Sequence, residues 1–210
     1  NYHKAVGAKI TIDKQPHKAY SGSGAEGLIN GISGSDSRYG DKEWLGFWGE
    51  DIEVTIDFEK PTKINSIETR FYNSQGQWIY APEVYEYLIL QQPNEFRQDT
   101  TFVLGLPEMA KESRFKLLNI KFSKMETGLY DETTKIILRI SNYGTIPEGK
   151  QGAGNKAWTF IDEIIVQGEN EINLESIDFK DIPEDCQYKS IKDLKDQFPV
   201  CNIIGFKTSV

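Results

Sequence analysis

Short apolar runs alternate with polar residues along most of the chain, and glycines and turn residues separate them. The cleanest run is Asp51-Ile-Glu-Val-Thr-Ile-Asp-Phe58, where Ile52, Val54, Ile56 and Phe58 share a face. That period of two marks a half-buried strand. Segments 63–71, 83–90 and 115–122 read as further strands, as does the alternation of Ile136, Leu138 and Ile140 with Ile137, Arg139 and Ser141. Segment 157–166 closes the series, with Trp158, Phe160, Ile164 and Val166 assigned to one side and Asp162 between them. Six or more short strands with almost no helical periodicity predict an all-β sandwich. No β-α-β alternation points to a doubly wound sheet.

The pattern changes after Gln167. Segment 169–196 is dense in Asp and Glu, and Ile191, Leu194 and Phe198 give the one helical spacing, stopped by Pro199. The expected organisation is a domain over 1–168 and an acidic segment over 169–210 that is an appendage, a linker into another domain, or a strand and helix packed back on the sandwich. Cys186 and Cys201 fall in that second part. Oxidised, they would close a loop of about 16 residues and contribute roughly 3 kcal/mol; the alternative is two separate thiols.

The chain has 210 residues, 24 Lys and Arg against 32 Asp and Glu, and a net charge of -8. An acidic surface repels phosphate backbones and anionic lipid, so nucleic acid and membrane surfaces are not expected partners. No apolar stretch approaches the roughly 18 residues of a membrane span. No signal peptide is visible, and the chain starts at Asn1.

Catalytic patterns are thin. A nucleophile–histidine arrangement needs a base, and His3 and His17 are the two histidines, each read as a surface or loop residue. Glycosidases need two carboxylates facing one sugar. Asp162 and Glu163 are adjacent, but neighbours on a regular strand point to opposite faces. Gly22-Ser-Gly24 and Gly152-Ala-Gly154 lack the context of a phosphate loop and read as turns. The chain is therefore expected not to be an enzyme.

Binding chemistry is better supplied. Four Trp, 10 Tyr and 11 Phe can offer flat rings to the C–H faces of sugars. Trp48, Trp78, Tyr39, Tyr80 and Tyr143 lie in or beside Gly-rich segments, where sites usually sit, whereas Trp44, Phe47 and Trp158 read as core. Segment 25–36 is a Gly-broken loop rich in oxygen donors, though without the spacing of an EF-hand.

Five blocks in order carry a family resemblance: Gly27-Leu-Ile-Asn-Gly-Ile-Ser-Gly-Ser35, Trp44-Leu-Gly-Phe47, Asp51-Ile-Glu-Val-Thr-Ile-Asp57, Trp78-Ile-Tyr-Ala-Pro82 and Ala157-Trp-Thr-Phe-Ile-Asp-Glu-Ile164. Together they resemble the coagulation factor V/VIII type C, or discoidin, domain. The variant is the one grouped with family 32 carbohydrate-binding modules and found at the C-terminus of bacterial family 20 glycoside hydrolases, the β-N-acetylhexosaminidases and chitobiases. The resemblance covers about residues 4–167. It implies a galactose-binding-like β-sandwich jelly roll of about eight strands and a structural Ca²⁺. The matching ligand positions are Asn30 and Glu163, with Ala25 and Ser35 as contributors; Asn30 stands where the family usually has Asp. For the sugar, the resemblance implies Trp78 or Tyr143 as stacking ring, with Arg70, Asn73, Asn142 and Asn155 as hydrogen-bond partners. The implied function is a non-catalytic module that binds terminal Gal, GalNAc or GlcNAc glycans. It would serve the catalytic domain of the same parent chain in a secreted, periplasmic or surface bacterial hydrolase. The alternative is a discoidin-type adhesion domain for a protein or surface partner.

Overall fold

In the computed structural model of the chain, the described residues are 3–91, 100–105, 112, 116–123 and 132–168. The appendage over 169–210, its helical segment and both cysteines lie outside them. Nine strands are described: β1 (Lys9–Ile12), β2 (Leu45–Trp48), β3 (Ile52–Thr62), β4 (Ser66–Tyr72), β5 (Val84–Gln91), β6 (Thr100–Gly105), β7 (Leu117–Ser123), β8 (Thr133–Ser141) and β9 (Trp158–Gln167). They pair antiparallel into a five-stranded sheet, β1-β3-β8-β5-β6, and a four-stranded sheet, β2-β9-β4-β7. The all-β sandwich is thus as expected. Helical structure among the described residues is limited to short 3₁₀ turns, among them Ala25–Ile29.

The alternation of β3 does what period two dictates. Ile52, Val54, Ile56 and Phe58 are buried and join Ile136, Leu138 and Ile140 of β8 in the main core. The opposing sheet supplies Leu45, Phe47, Ile67, Phe71, Ile161, Ile164 and Val166. Each such side chain, fully buried, stabilises the fold by roughly 1.5–3 kcal/mol.

β9 departs from the sequence reading. Thr69 pairs with Ile164 and Phe71 with Ile161, so two residues, Asp162 and Glu163, stand opposite Arg70 alone. This is a β-bulge. It flips the parity of the strand: Phe160 belongs to an aromatic cluster on the outer face, while Ile164 and Val166 point into the main core. The single face assigned to Trp158, Phe160, Ile164 and Val166 is therefore corrected. So is the rule that keeps Asp162 and Glu163 apart, because both carboxylates bond the loop over 31–34.

Candidate functional site

The outer face of the four-stranded sheet carries a continuous run of rings. In the β2–β9 register Trp48 lies opposite Trp158, and the two indoles stack with centroids 6.1 Å apart and planes at 29°. Trp158 receives His17 edge-on at 5.2 Å and Tyr20 at 5.4 Å. The run continues inward through Tyr20–Phe160, Phe160–Tyr39, Tyr39–Tyr72 and Tyr72–Trp44. Gly46 makes room for it, since a Cβ there would meet both the Phe160 ring and Tyr20. The inner members are core, but the outer end is open: Trp48 is 47% exposed.

Trp48 is exposed and yet held. Its Nε1–H donates to the Lys156 carbonyl at 3.0 Å, and its ring stacks on Trp158 while the residue stays 47% exposed. His17 is equally fixed. Its backbone N–H donates to the Gly46 carbonyl, and its Nδ1 accepts from the Ala19 N–H at 3.2 Å. A neutral ring whose Nδ1 accepts carries its proton on Nε2. The platform thus has a hydrogen-bond donor at its edge. Sequence reasoning placed Trp48 among candidate platforms without selecting it, and missed His17. The available signal was the alternation in Leu45-Gly-Phe-Trp48, which puts Trp48 opposite the core residue Phe47.

The predicted sugar residues are divided between other places. Trp78, Tyr143, Asn142 and Asn155 come together around segment 142–157, where Trp78 and Tyr143 pack on Tyr80, Ile146 and Ala157. The Trp78 indole lies against Gly152, whose φ of +81° and lack of a side chain both serve this contact: a Cβ there would overlap the ring. Tyr143 packs on Tyr80 at 4.5 Å and 32°. Burial first, then Tyr143, raises the Tyr80 hydroxyl above its usual pKa. Asn142 braces the loop: its Nδ2 donates to the Ala157 carbonyl and Thr159 Oγ1, and its Oδ1 accepts from the Gly144 N–H. Asn155 Nδ2 donates to the Gly152 carbonyl. Asn73 is buried and donates to the Glu112 carbonyl. Arg70 lies at the β9 bulge instead, 2.9 Å from Asp36, 3.5 Å from Asp162 and over the Trp44 ring.

The bulge collects the buried polar groups. Asp162 Oδ2 accepts from the Gly34 N–H at 2.7 Å. Burial pushes the Asp162 carboxyl up to about 7, against the opposing pull of Arg70 and of the Gly34 and Glu163 backbone N–H groups. Glu163 Oε1 accepts from the Gly31 N–H at 3.2 Å and lies 2.8 Å from His3 Nε2. His3 is buried, at 3% exposure, which corrects its reading as a surface residue; His17 is exposed, as expected. Of the other implied cation ligands, Asn30 Oδ1 accepts from the Ile32 N–H and Asn30 Nδ2 donates to Glu43 Oε2. The Ser35 carbonyl accepts the Trp44 indole N–H, and Ser35 Oγ meets the Ser37 hydroxyl. Ala25 opens the 3₁₀ turn Ala25–Ile29. Calcium wants six to eight oxygens turned toward it, and here the side-chain oxygens of Asn30 and Ser35, and Oε1 of Glu163, are turned toward other groups.

No protein-family model matches the sequence, and no curated protein matches it. Solved structures do match. The lectin domain of lectinolysin, complexed with Lewis B antigen, is 11% identical with a TM-score of 0.45, covering 79% of this chain and 96% of its own. A Streptococcus pneumoniae fucose-binding module is 10% identical at a TM-score of 0.48, with 80% and 96% covered. The Clostridium perfringens module CpGH89CBM32-4, in complex with GlcNAc-α-1,4-galactose, is 17% identical at 0.47, with 79% and 92% covered. The chemistry of the present surface is read from its own residues. It offers a fixed apolar ring at Trp48 and an imidazole packed edge-on against its neighbour Trp158.

Proposed function

We propose that this chain is a non-catalytic glycan-binding module of the discoidin type, whose sugar stacks on Trp48. The observation that carries the reading is a tryptophan held by a hydrogen bond and a stacked ring that stays half-exposed. An exposed indole forgoes hydrophobic stabilisation that burial would supply. A pyranose ring returns it, because its C–H face is apolar and its hydroxyls remain at the rim for His17 Nε2–H. Asp162 and Glu163, the pair that invites a glycosidase reading, are buried and bonded to backbone N–H groups. That argues for binding rather than hydrolysis. Terminal Gal, GalNAc or GlcNAc are the proposed ligands, and a secreted bacterial glycoside hydrolase of the β-N-acetylhexosaminidase kind is the proposed parent. A shallow single site gives a Kd of about 10 μM to 1 mM, or roughly 4–7 kcal/mol. Tethering to a catalytic domain turns that into a high effective concentration at the polymer.

The test is a glycan-array screen of the chain beside its Trp48→Ala and Trp78→Ala variants. Selective binding lost with Trp48 and kept with Trp78 supports the reading. Binding lost with Trp78 alone moves the site to the loop over 142–157. Absence of binding to every glycan removes the lectin function and leaves adhesion to a protein partner.

A further inference from the structure

The β9 bulge is where the resemblance places a structural cation, yet the groups that surround Glu163 are donors. His3 Nδ1 accepts from the Ala5 and Val166 backbone N–H groups, at 3.3 and 3.4 Å. The imidazole proton is therefore on Nε2, aimed at Glu163 Oε1 2.8 Å away. The Gly31 N–H reaches the same oxygen. Two N–H groups thus converge on Glu163 Oε1.

Position 30 tells the same story. Asn30 sits across from Glu43, which is buried at 4% exposure, and its amide donates to Glu43 Oε2 at 3.0 Å. An aspartate there would set one carboxylate against another without a cation between them, a repulsion the amide converts into a bond. The Asn30 oxygen is already bonded to the Ile32 N–H. Among the described residues, Glu163 Oε2 and the neighbouring Asp162 Oδ1 are the oxygens at the bulge that are buried without a partner. Two such oxygens are short of the six to eight of a calcium shell, and among the described residues no set of three or more His, Cys, Asp or Glu residues is arranged to hold a metal ion.

We propose that His3 replaces the structural cation: its imidazole, with the Gly31 N–H, clamps Glu163 to the loop over 30–36, and the module keeps its fold without calcium. The N-terminal segment is anchored for this role, since the Lys4 N–H donates to the Val166 carbonyl at 2.8 Å and Ala5 is fully buried.

The experiment is thermal unfolding of the whole chain, followed by circular dichroism, in millimolar Ca²⁺ and in excess chelator. The wild-type midpoint is expected to be the same in both. His3→Ala is expected to lower it by roughly 5 °C, the scale of a charge-assisted hydrogen bond in a domain of this size. A wild-type midpoint that climbs with Ca²⁺ overturns the proposal, and so does a His3→Ala variant that melts with the wild type. Should the variant not fold, the wild-type comparison decides alone, since it needs no substitution.

Discussion

The start of β9 and its middle invert each other. At the start, Trp158 supports the half-exposed Trp48, so an apolar ring faces water. Four residues on, Asp162 and Glu163 are shut away from water completely. Each arrangement is unfavourable in isolation, and each is offset differently. Each carboxylate is compensated inside the molecule at one oxygen, Asp162 Oδ2 by Arg70 and the Gly34 N–H, and Glu163 Oε1 by His3 and the Gly31 N–H. Among the described residues the indole is left 47% exposed. Uphill features satisfied from within are structure; those left to be satisfied from outside are where a ligand acts.

The sharpest way to break this comparison is at the bulge. Arg70→Ala takes the neighbouring cation from Asp162, whose buried carboxyl then takes up a proton, and is expected to lower stability by about 1–3 kcal/mol in urea denaturation. Its folded fraction should bind glycan as the wild type does; a selective loss of binding would return Arg70 to the sugar site. Trp48→Ala is expected to do the reverse. It should weaken binding at least tenfold, about 1.4 kcal/mol by titration calorimetry, while stability changes by less than about 1 kcal/mol.

A pH series sharpens the same contrast. The Asp162 carboxyl is raised from 3.8 to about 7 in the fold. Between those values the folded chain holds a proton that the unfolded chain has lost, so this group favours the fold more as pH falls from about 7 toward 4. Asp162→Asn should remove that slope, on the order of 1 kcal/mol per pH unit at most. A slope unchanged in the variant would mean that burial does not govern this carboxyl. The smallest expected effect is His17→Ala, which removes one edge donor and should cost under about 1 kcal/mol of glycan affinity. An effect as large as that of Trp48→Ala would make hydrogen bonding, not stacking, the main term.

The sandwich was legible because strands declare themselves by period. β3, β4, β5, β7, β8 and β9 all fall within a few residues of the alternating segments. β1, β2 and β6 escaped: they are 4 to 6 residues long, too short for a pattern to repeat. In β2 the alternation of Leu45 and Phe47 with Gly46 and Trp48 is a signal, but it spans a single repeat. The bulge left only a faint mark, the three-residue spacing between the core residues Ile161 and Ile164. Without it Asp162 and Glu163 could not be placed on one loop. His3 and His17 were invisible for a deeper reason. Their partners Glu163 and Trp158 are more than 100 residues away, and no local pattern encodes such a meeting. Ring counts showed that platforms were available, but only packing distinguishes Trp48, open to water, from Trp78, resting against Gly152.

The bond between the Lys4 N–H and the Val166 carbonyl brings the two ends of the sandwich side by side. A body whose strands begin and finish at one spot hangs from a single mount. A pull applied at residues 4 and 166 would meet that one corner and its hydrogen bonds first.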